Sequence, residues 1–159
     1  MKELRVSIAE QVLRLVEDGH TRLAYAVSTA LRGAGEQSGS EQTPRGRHIV
    51  RARIGAGMPL GTVFRGRRPT GEVWTPELQA QFPGRDWILT RILWLSGCEP
   101  GRNRLGNCDS MRRYIYIHGT PDTEPMGEPR SHGCIRMRNA DLAELFDQVP
   151  AYTPVIIEE

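Results

Sequence analysis

The chain is poor in cysteine and lacks any long apolar run. Three cysteines in 159 residues are too few, and odd in number, for a disulfide framework, although Cys98 and Cys108 flank a polar loop and could pair in an oxidising compartment. No stretch is apolar for long enough to span a bilayer, and the N-terminus lacks the apolar run of a secretory signal. We therefore expect a cytoplasmic protein that does not bind membranes, or a periplasmic one if the native start lies upstream of Met1.

The chain also has little net charge and almost no lysine. A formal charge of +2 is too small to indicate a nucleic-acid partner. Lys2 is the only lysine, which reflects either genomic bias or a use for arginine, whose planar fork can bind a carboxylate through two bonds. The length and the absence of a linker or repeat predict one domain over residues 1–159. Nothing in the composition indicates an oligomeric state.

The N-terminal part of the sequence predicts a β-hairpin. Residues 5–8 alternate polar and apolar side chains, and residues 12–16 and 23–27 are apolar runs on either side of Asp18-Gly19. An Asp-Gly pair between two such runs is a strong hairpin signal. A helix across residues 3–17 is the competing interpretation, because Ala9, Glu10 and Gln11 favour helix.

The rest of the chain predicts more strands and two short helices. Strands are expected at His48–Ile54, Val63-Phe64, Trp87–Leu95, Tyr114–Ile117 and, as a closing edge strand, Thr153–Ile157. Thr75-Pro76 marks one helix start. A second helix is expected to be capped at Asn139, with Leu142, Leu145 and Phe146 on its apolar face. These patterns indicate a mainly β, β-rich α+β fold.

The strongest chemical signal is a cysteine in a glycine-containing turn. The sequence reads Ile117-His118-Gly119-Thr120 and then Ser131-His132-Gly133-Cys134-Ile135-Arg136-Met137. A thiol that attacks a carbonyl needs a base, exposure and hydrogen-bond donors for the oxyanion. Gly133 lets backbone amides approach the oxyanion without a side chain in the way, so we expect the amides of Gly133 and Cys134 to form that pocket.

The two neighbouring histidines are expected to play different parts. His118 ends an apolar strand and is the natural base for the Cys134 thiol, because imidazole titrates near neutrality. A backbone carbonyl such as that of Gly119 could orient its other nitrogen. His132 is too close to Cys134 along the chain to be assigned as the base, and we expect it to line the pocket or shape the turn.

Two alternatives stay open at this point. His118, His132 and Cys134 are possible zinc ligands, with Cys98 or Cys108 as a fourth, but the chain has no Cys-x-x-Cys or His-x-x-x-His, and we expect neither a metal nor another cofactor. The other alternative is an arginine-rich binding module without chemistry, for which Cys134→Ala would keep all function.

The same residues resemble a known signature. His118-Gly119-Thr120, with Ser131 to Met137 and then Asn139, is similar to the motif of the L,D-transpeptidase (YkuD-type) catalytic domain. Val27-Ser28-Thr29, Thr43-Pro44-x-Gly46, Val149-Pro150 and Thr153-Pro154-Val155 resemble further segments of that family.

The resemblance implies a structure and a division of roles. The structure is one of packed mixed sheets with the cysteine in a cleft. In it Cys134 is the nucleophile, His118 the base and Gly119 the source of the orienting carbonyl, while Ser131, His132 and Gly133 shape the pocket.

The resemblance also implies a substrate. Its members attack the L,D-peptide bond between meso-diaminopimelate and the terminal D-Ala of peptidoglycan tetrapeptides and form a thioester. Water then gives an L,D-carboxypeptidase, and a second stem amine gives a 3→3 cross-linking transpeptidase. Because no signal or anchor is visible, we expect the carboxypeptidase, acting in muropeptide recycling.

Two further residues are candidates for substrate contact. Arg136 could anchor a substrate carboxylate, with a structural ion pair as the alternative, and Tyr116 could line the same site. The expected partners are stem peptides or muropeptides, and carbapenem-type inhibitors are expected to acylate Cys134.

Overall fold

A computed structural model describes residues 1–159 as one mixed sheet of ten strands with two α-helices. The strands are β1 (Lys2–Ser7), β2 (Val12–Glu17), β3 (His20–Ser28), β4 (Gly46–Ile54), β5 (Thr62–Arg65), β6 (Arg68–Val73), β7 (Ile88–Gly97), β8 (Tyr116–Gly119), β9 (Ile135–Met137) and β10 (Pro154–Glu158). The helices are α1 (Pro76–Gln81) and α2 (Asn139–Gln148), and a 3-10 turn covers Gly106–Cys108. The β-rich class with two short helices is confirmed. Neither α-helix is long and apolar enough to cross a membrane.

The N-terminal hairpin forms where the Asp-Gly pair predicts it. β1 pairs antiparallel with β2, and β2 with β3. Asp18 (φ 51°) and Gly19 (φ 81°) both adopt left-handed backbone, which a tight two-residue hairpin turn requires. The strand interpretation of this region is therefore right, and the alternative helix across residues 3–17 is wrong.

The closing strand is not at an edge. The strand order is β4-β10-β1-β2-β3-β9-β8-β7-β5-β6, so β10 lies between β1 (parallel) and β4 (antiparallel). The expectation of an edge strand is wrong because the backbone of β10 pairs with a strand on each side, and Val155 and Ile157 are buried in the main core. A further pairing of β4 with β7 closes eight of the strands around one core.

Helix α2 belongs to that core. Leu142, Leu145 and Phe146 are buried within the main cluster of 19 apolar residues, as their helical spacing predicts. Asn139 is not the cap: Arg138 occupies that position without a side-chain hydrogen bond. The Asn139 amide instead donates to the Thr120 carbonyl at 3.0 Å, because it is buried at the end of β8, where that carbonyl needs a donor.

Helix α1 begins as its sequence predicts. The Thr75 hydroxyl accepts a hydrogen bond from the Leu78 amide at 3.0 Å, and Pro76 takes the first turn, where its missing N–H costs nothing. The helix ends at Gln81, before Pro83.

The β5–β6 hairpin is the part that the sequence indicated least. Only Val63-Phe64 was expected, because Pro69 and Gly71 weaken the pattern of β6. The turn residues Gly66 and Arg67 have φ of 55° and 65°. Since β5 pairs with β7, the hairpin extends the sheet beyond β7, whose other neighbour, β8, carries His118.

Candidate active site

Strand register brings the predicted catalytic side chains to one face of the sheet. β8 and β9 are parallel, with His118 opposite Arg136. Because side chains alternate along a strand, Tyr116 and His118 share a face with Cys134 and Arg136, while Ile117 points into the main core. These four residues line one pocket of about 280 Å³.

Hydrogen bonds from both sides fix the turn that carries Cys134. The Thr43 hydroxyl donates to the Gly133 carbonyl at 2.9 Å, and the Ser131 hydroxyl donates to the Cys134 carbonyl at 2.5 Å. Gly133 has φ of 134°, which a side chain rarely adopts. The sequence motif therefore needs a residue from a distant loop, Thr43, to hold its shape.

The two amides expected to hold the oxyanion differ in the structure. The Gly133 N–H donates to the Ser131 hydroxyl at 3.2 Å. The Cys134 N–H makes no hydrogen bond within the chain. The Cys134 amide is thus the donor left unpaired next to the sulfur.

The Cys134 thiol rests in a neutral, hydrogen-bonded state. Its Sγ donates to the Tyr114 carbonyl at 3.3 Å and accepts from the Tyr116 amide at 3.4 Å. Burial raises the pKa of Cys134 to about 12, and the Tyr116 N–H and the Arg136 charge only partly oppose this. The thiol is therefore protonated at neutral pH and needs a base in order to attack.

His118 is oriented to act as that base. It is 1% exposed, and its Nδ1 lies 2.6 Å from the Gly119 carbonyl oxygen. Because a carbonyl only accepts, Nδ1 carries the hydrogen and Nε2 is left as the acceptor. Burial lowers the pKa of His118, so the resting pair is neutral imidazole and neutral thiol, an arrangement that suits general-base catalysis.

Gly119 has no room for a side chain. A Cβ at this position would collide with the Asn139 side-chain oxygen and would lie 2.7 Å from the Leu89 carbonyl. The close packing of α2 and β7 against Gly119 fixes the carbonyl that orients His118.

Arg136 lies between two carboxylates at the edge of the pocket. Its side chain is 12% exposed, and the nearest carboxylates, Asp86 and Glu124, lie at 3.6 and 3.9 Å, beyond hydrogen-bond distance. Its Nε is buried without a partner. The structural ion pair, which was the alternative to a role in substrate binding, is therefore present, while Arg136 also lines the pocket.

The remaining motif residues lie around the nucleophile. Ser131 is buried and His132 is exposed, and both line the pocket. The structure thus gathers the motif residues that the sequence predicted around Cys134, with Gly119 behind His118.

Arg67, which lines one side of the pocket, could not be identified from the sequence. Arg67 comes from the β5–β6 turn and donates to the Tyr116 hydroxyl at 3.1 Å. Its guanidinium lies 4.9 Å from the ring centres of both Trp94 and Tyr114, at cation–π distance. Burial raises the pKa of Tyr116. No local pattern identifies Arg67, because its partners are far away in sequence.

Arg113 is a second pocket residue that the sequence did not reveal. It is half-buried, and its Nη2 donates to the Gln42 carbonyl at 2.6 Å. It joins the loop that contains Thr43 to the pocket, and its charge favours the thiolate form of Cys134.

The candidate zinc ligands are not gathered with a fourth residue. No group of three or more His, Cys, Asp or Glu side chains has metal-binding geometry. Cys98 and Cys108 do not line the pocket, and both are free thiols rather than a disulfide.

Comparison with known proteins agrees with this geometry. The family model of the L,D-transpeptidase catalytic domain (YkuD) matches residues 2–157. The probable L,D-transpeptidase YbiS of Escherichia coli K12 is 33% identical over 92 residues, which cover 56% of this chain and 29% of YbiS. The chain therefore spans less than a third of that relative.

Solved structures show the same fold. An L,D-transpeptidase from Xylanimonas cellulosilytica superposes with a TM-score of 0.56 at 20% identity, covering 98% of this chain and 59% of that one. L,D-transpeptidase 3 from Mycobacterium tuberculosis, solved with a faropenem-derived adduct, superposes with a TM-score of 0.60 at 17% identity, covering 99% and 60%.

Proposed function

Since the chain belongs to the L,D-transpeptidase (YkuD) catalytic domain family, a family of cysteine enzymes, we propose that it cleaves the L,D-peptide bond between meso-diaminopimelate and the terminal D-Ala of peptidoglycan tetrapeptides. The observation that carries the proposal is that Cys134, just before β9, and His118 of β8 line one pocket, with His118 oriented by the Gly119 carbonyl.

The reaction begins with proton transfer from the thiol to the imidazole. His118 Nε2 takes the Cys134 proton as Sγ attacks the carbonyl of diaminopimelate. The Cys134 N–H stabilises the oxyanion. The C–N bond then breaks, the imidazolium gives its proton to the departing D-Ala nitrogen, and a thioester remains on Cys134.

Two residues are proposed to hold the substrate. Arg136, which lines the pocket and makes only long contacts with Asp86 and Glu124, binds the terminal carboxylate of D-Ala, since a guanidinium fork matches a carboxylate. Tyr116 lies opposite Cys134 in the register and forms the pocket wall against which the stem peptide lies.

We propose that water resolves the thioester, which makes the protein an L,D-carboxypeptidase for muropeptides. The pocket of about 280 Å³ has room for one stem-peptide end and for the attacking water. The alternative is transfer to a second stem, giving 3→3 cross-links, and it is favoured by the L,D-transpeptidase name of YbiS.

Product analysis tests these proposals. Disaccharide-tetrapeptide is incubated with the protein, with and without a second stem, and the products are read by mass spectrometry. Tripeptide and free D-Ala support hydrolysis, and dimers support transfer. Loss of both in Cys134→Ala and His118→Asn is expected. Full function in Cys134→Ala would instead support the binding module.

Inhibitor binding and cellular location remain proposals with tests of their own. The faropenem-derived adduct of the M. tuberculosis relative supports acylation of Cys134 by carbapenem-type drugs, which would add one drug mass that is lost in Cys134→Ala. Cytoplasmic location stays a prediction that fractionation of cells expressing the full-length protein tests.

A further inference from the structure

A bulge in β7 lies directly opposite the step from His118 to Gly119 in β8. Leu89 pairs with Gly119 and Ile92 with His118, so β7 has two extra residues where β8 has none. Bulges of this kind bend a strand and re-aim its side chains, and they are common next to active sites. The first of the two extra residues is Thr90.

Thr90 adopts a backbone conformation that its side chain disfavours. Its φ is 76°, in the left-handed region, where a β-branched residue is an outlier. It is the only non-glycine residue with a positive φ inside any strand of the chain. Such strain persists only where the surrounding structure imposes it, and it occurs most often at functional sites.

The Thr90 hydroxyl joins three parts of the fold. It is fully buried, donates to the Asn139 side-chain oxygen at 2.5 Å and accepts from the Gly61 amide at 3.0 Å. The Asn139 side-chain nitrogen donates in turn to the Thr120 carbonyl at 3.0 Å. A hydroxyl is needed at the centre of this network because it both donates and accepts. The network connects the bulge, the first residue of α2 and the segment that follows β8.

These hydrogen bonds surround the peptide that orients His118. A Cβ on Gly119 would lie 3.1 Å from the Thr90 hydroxyl oxygen and would collide with the Asn139 side-chain oxygen. The Gly119 carbonyl, which accepts from His118 Nδ1, belongs to the same peptide unit as the nitrogen of Thr120. A shift of the bulge or of Asn139 would therefore move the carbonyl that sets the tautomer of His118.

We propose that Thr90 is a positioning residue for His118, whose hydroxyl, held on the strained bulge, keeps the Gly119 carbonyl in line with Nδ1. The inference rests on the proposed function, in which His118 Nε2 takes the thiol proton. Without the hydroxyl, the buried Asn139 oxygen loses its donor, and Asn139 holds the end of β8 less firmly. The imidazole then populates both tautomers, and the one with its hydrogen on Nε2 cannot accept the thiol proton.

Two substitutions separate the hydroxyl from the shape of the side chain. Thr90→Val removes the hydroxyl and keeps the branched shape, whereas Thr90→Ser keeps the hydroxyl. With disaccharide-tetrapeptide as substrate, kcat should fall about tenfold or more in Thr90→Val while KM changes less than about threefold. In Thr90→Ser, kcat should stay within about threefold of the wild-type value.

Thr153→Val is the matched control. It removes another buried threonine hydroxyl, which donates to the Pro150 carbonyl at 2.7 Å and lies outside the pocket, so kcat should be unchanged. If Thr90→Val does not fold, Thr90→Gly takes its place and should lower kcat similarly. Glycine adopts a φ of 76° without strain and also lacks the hydroxyl.

Nitrogen-15 NMR of the histidine rings supplies a readout that needs no substrate. The spectrum of His118→Asn identifies the His118 signals among those of the four histidines. The wild-type protein and Thr153→Val should show His118 as the single Nδ1–H tautomer, and Thr90→Val should show a mixture of the two tautomers.

The outcomes separate this inference from the proposed function. A wild-type kcat or a single Nδ1–H tautomer in Thr90→Val would overturn the positioning role. So would a loss of kcat that Thr90→Ser does not restore or that Thr153→Val shares. If the wild-type protein forms no tripeptide but the tautomer still changes in Thr90→Val alone, the proposed reaction is refuted and the positioning role is supported.

Discussion

Slow alkylation of Cys134 is the most direct consequence of the neutral pair. At about pH 8 an ordinary thiol with a pKa near 8.5 is roughly a quarter ionised. A thiol whose pKa burial raises to about 12 is ionised to roughly one part in ten thousand. The thiolate population of Cys134 is therefore about two thousandfold smaller than that of an unfolded cysteine.

Part of this difference is offset by nucleophilicity. A more basic thiolate attacks faster, with a Brønsted coefficient of about 0.4–0.5. The higher pKa therefore raises the reaction rate of each thiolate roughly fortyfold. The folded protein should therefore react with iodoacetamide at Cys134 about sixtyfold more slowly than the denatured protein. The folded protein reacts more slowly because burial raises the pKa of Cys134 by more than the Tyr116 N–H and the Arg136 charge lower it.

The assay is timed alkylation between about pH 6 and pH 10, quenched and read by peptide mapping so that Cys98 and Cys108 are scored separately. Cys134→Ala identifies the peptide. The native rate should still be rising at pH 10, because the thiol is far from titrated. Rapid alkylation that reaches a plateau below about pH 7 would show a preformed thiolate–imidazolium pair and refute the neutral resting state.

Two further predictions concern Gly119, next to His118, and the buried His48 of β4. Gly119→Ala should lower the free energy of unfolding by about 1–3 kcal/mol and lower kcat at least tenfold. The reason is that the new Cβ would collide with Asn139 and displace the carbonyl that orients His118. A variant with wild-type Tm and kcat would contradict this prediction. Burial lowers the pKa of His48 to about 4. Between about pH 6.5 and 4 the unfolded state therefore binds more protons at this residue than the folded state does. The free energy of unfolding should fall by about 3 kcal/mol as the pH falls through that range. Urea unfolding at a series of pH values measures this, and His48→Gln should flatten the slope; an unchanged slope would show that other groups cause it.

The sequence predicted those parts of the fold that depend on local chemistry. The Asp18-Gly19 turn and the Thr75 cap were predictable because each needs only neighbouring residues: a left-handed turn and an N-terminal acceptor. The edge position of β10 and the cap at Asn139 were wrong, because each was decided by partners far along the chain. The β10 strand is flanked on both sides, and the Asn139 amide is taken by Thr120.

The residues of the site likewise include some that the local sequence indicates and others that only the fold brings to the pocket. The motif around Cys134 is continuous in sequence, so its residue types could be read directly. Arg67, Asp86 and Arg113 come from other segments and carry no local signal, since any exposed loop has such residues.

By itself, the sequence determined the chemistry: a cysteine, a histidine and a glycine carbonyl in an order typical of one family, on a β-rich chain. Only the tertiary structure decided the state of those groups. The parallel register of β8 and β9 places them on one face, burial keeps thiol and imidazole neutral, and distant loops supply Thr43, Arg67 and Arg113. The physical reason is that residue type sets which proton transfers are possible, whereas pKa and alignment depend on burial and on neighbours that the fold alone brings together.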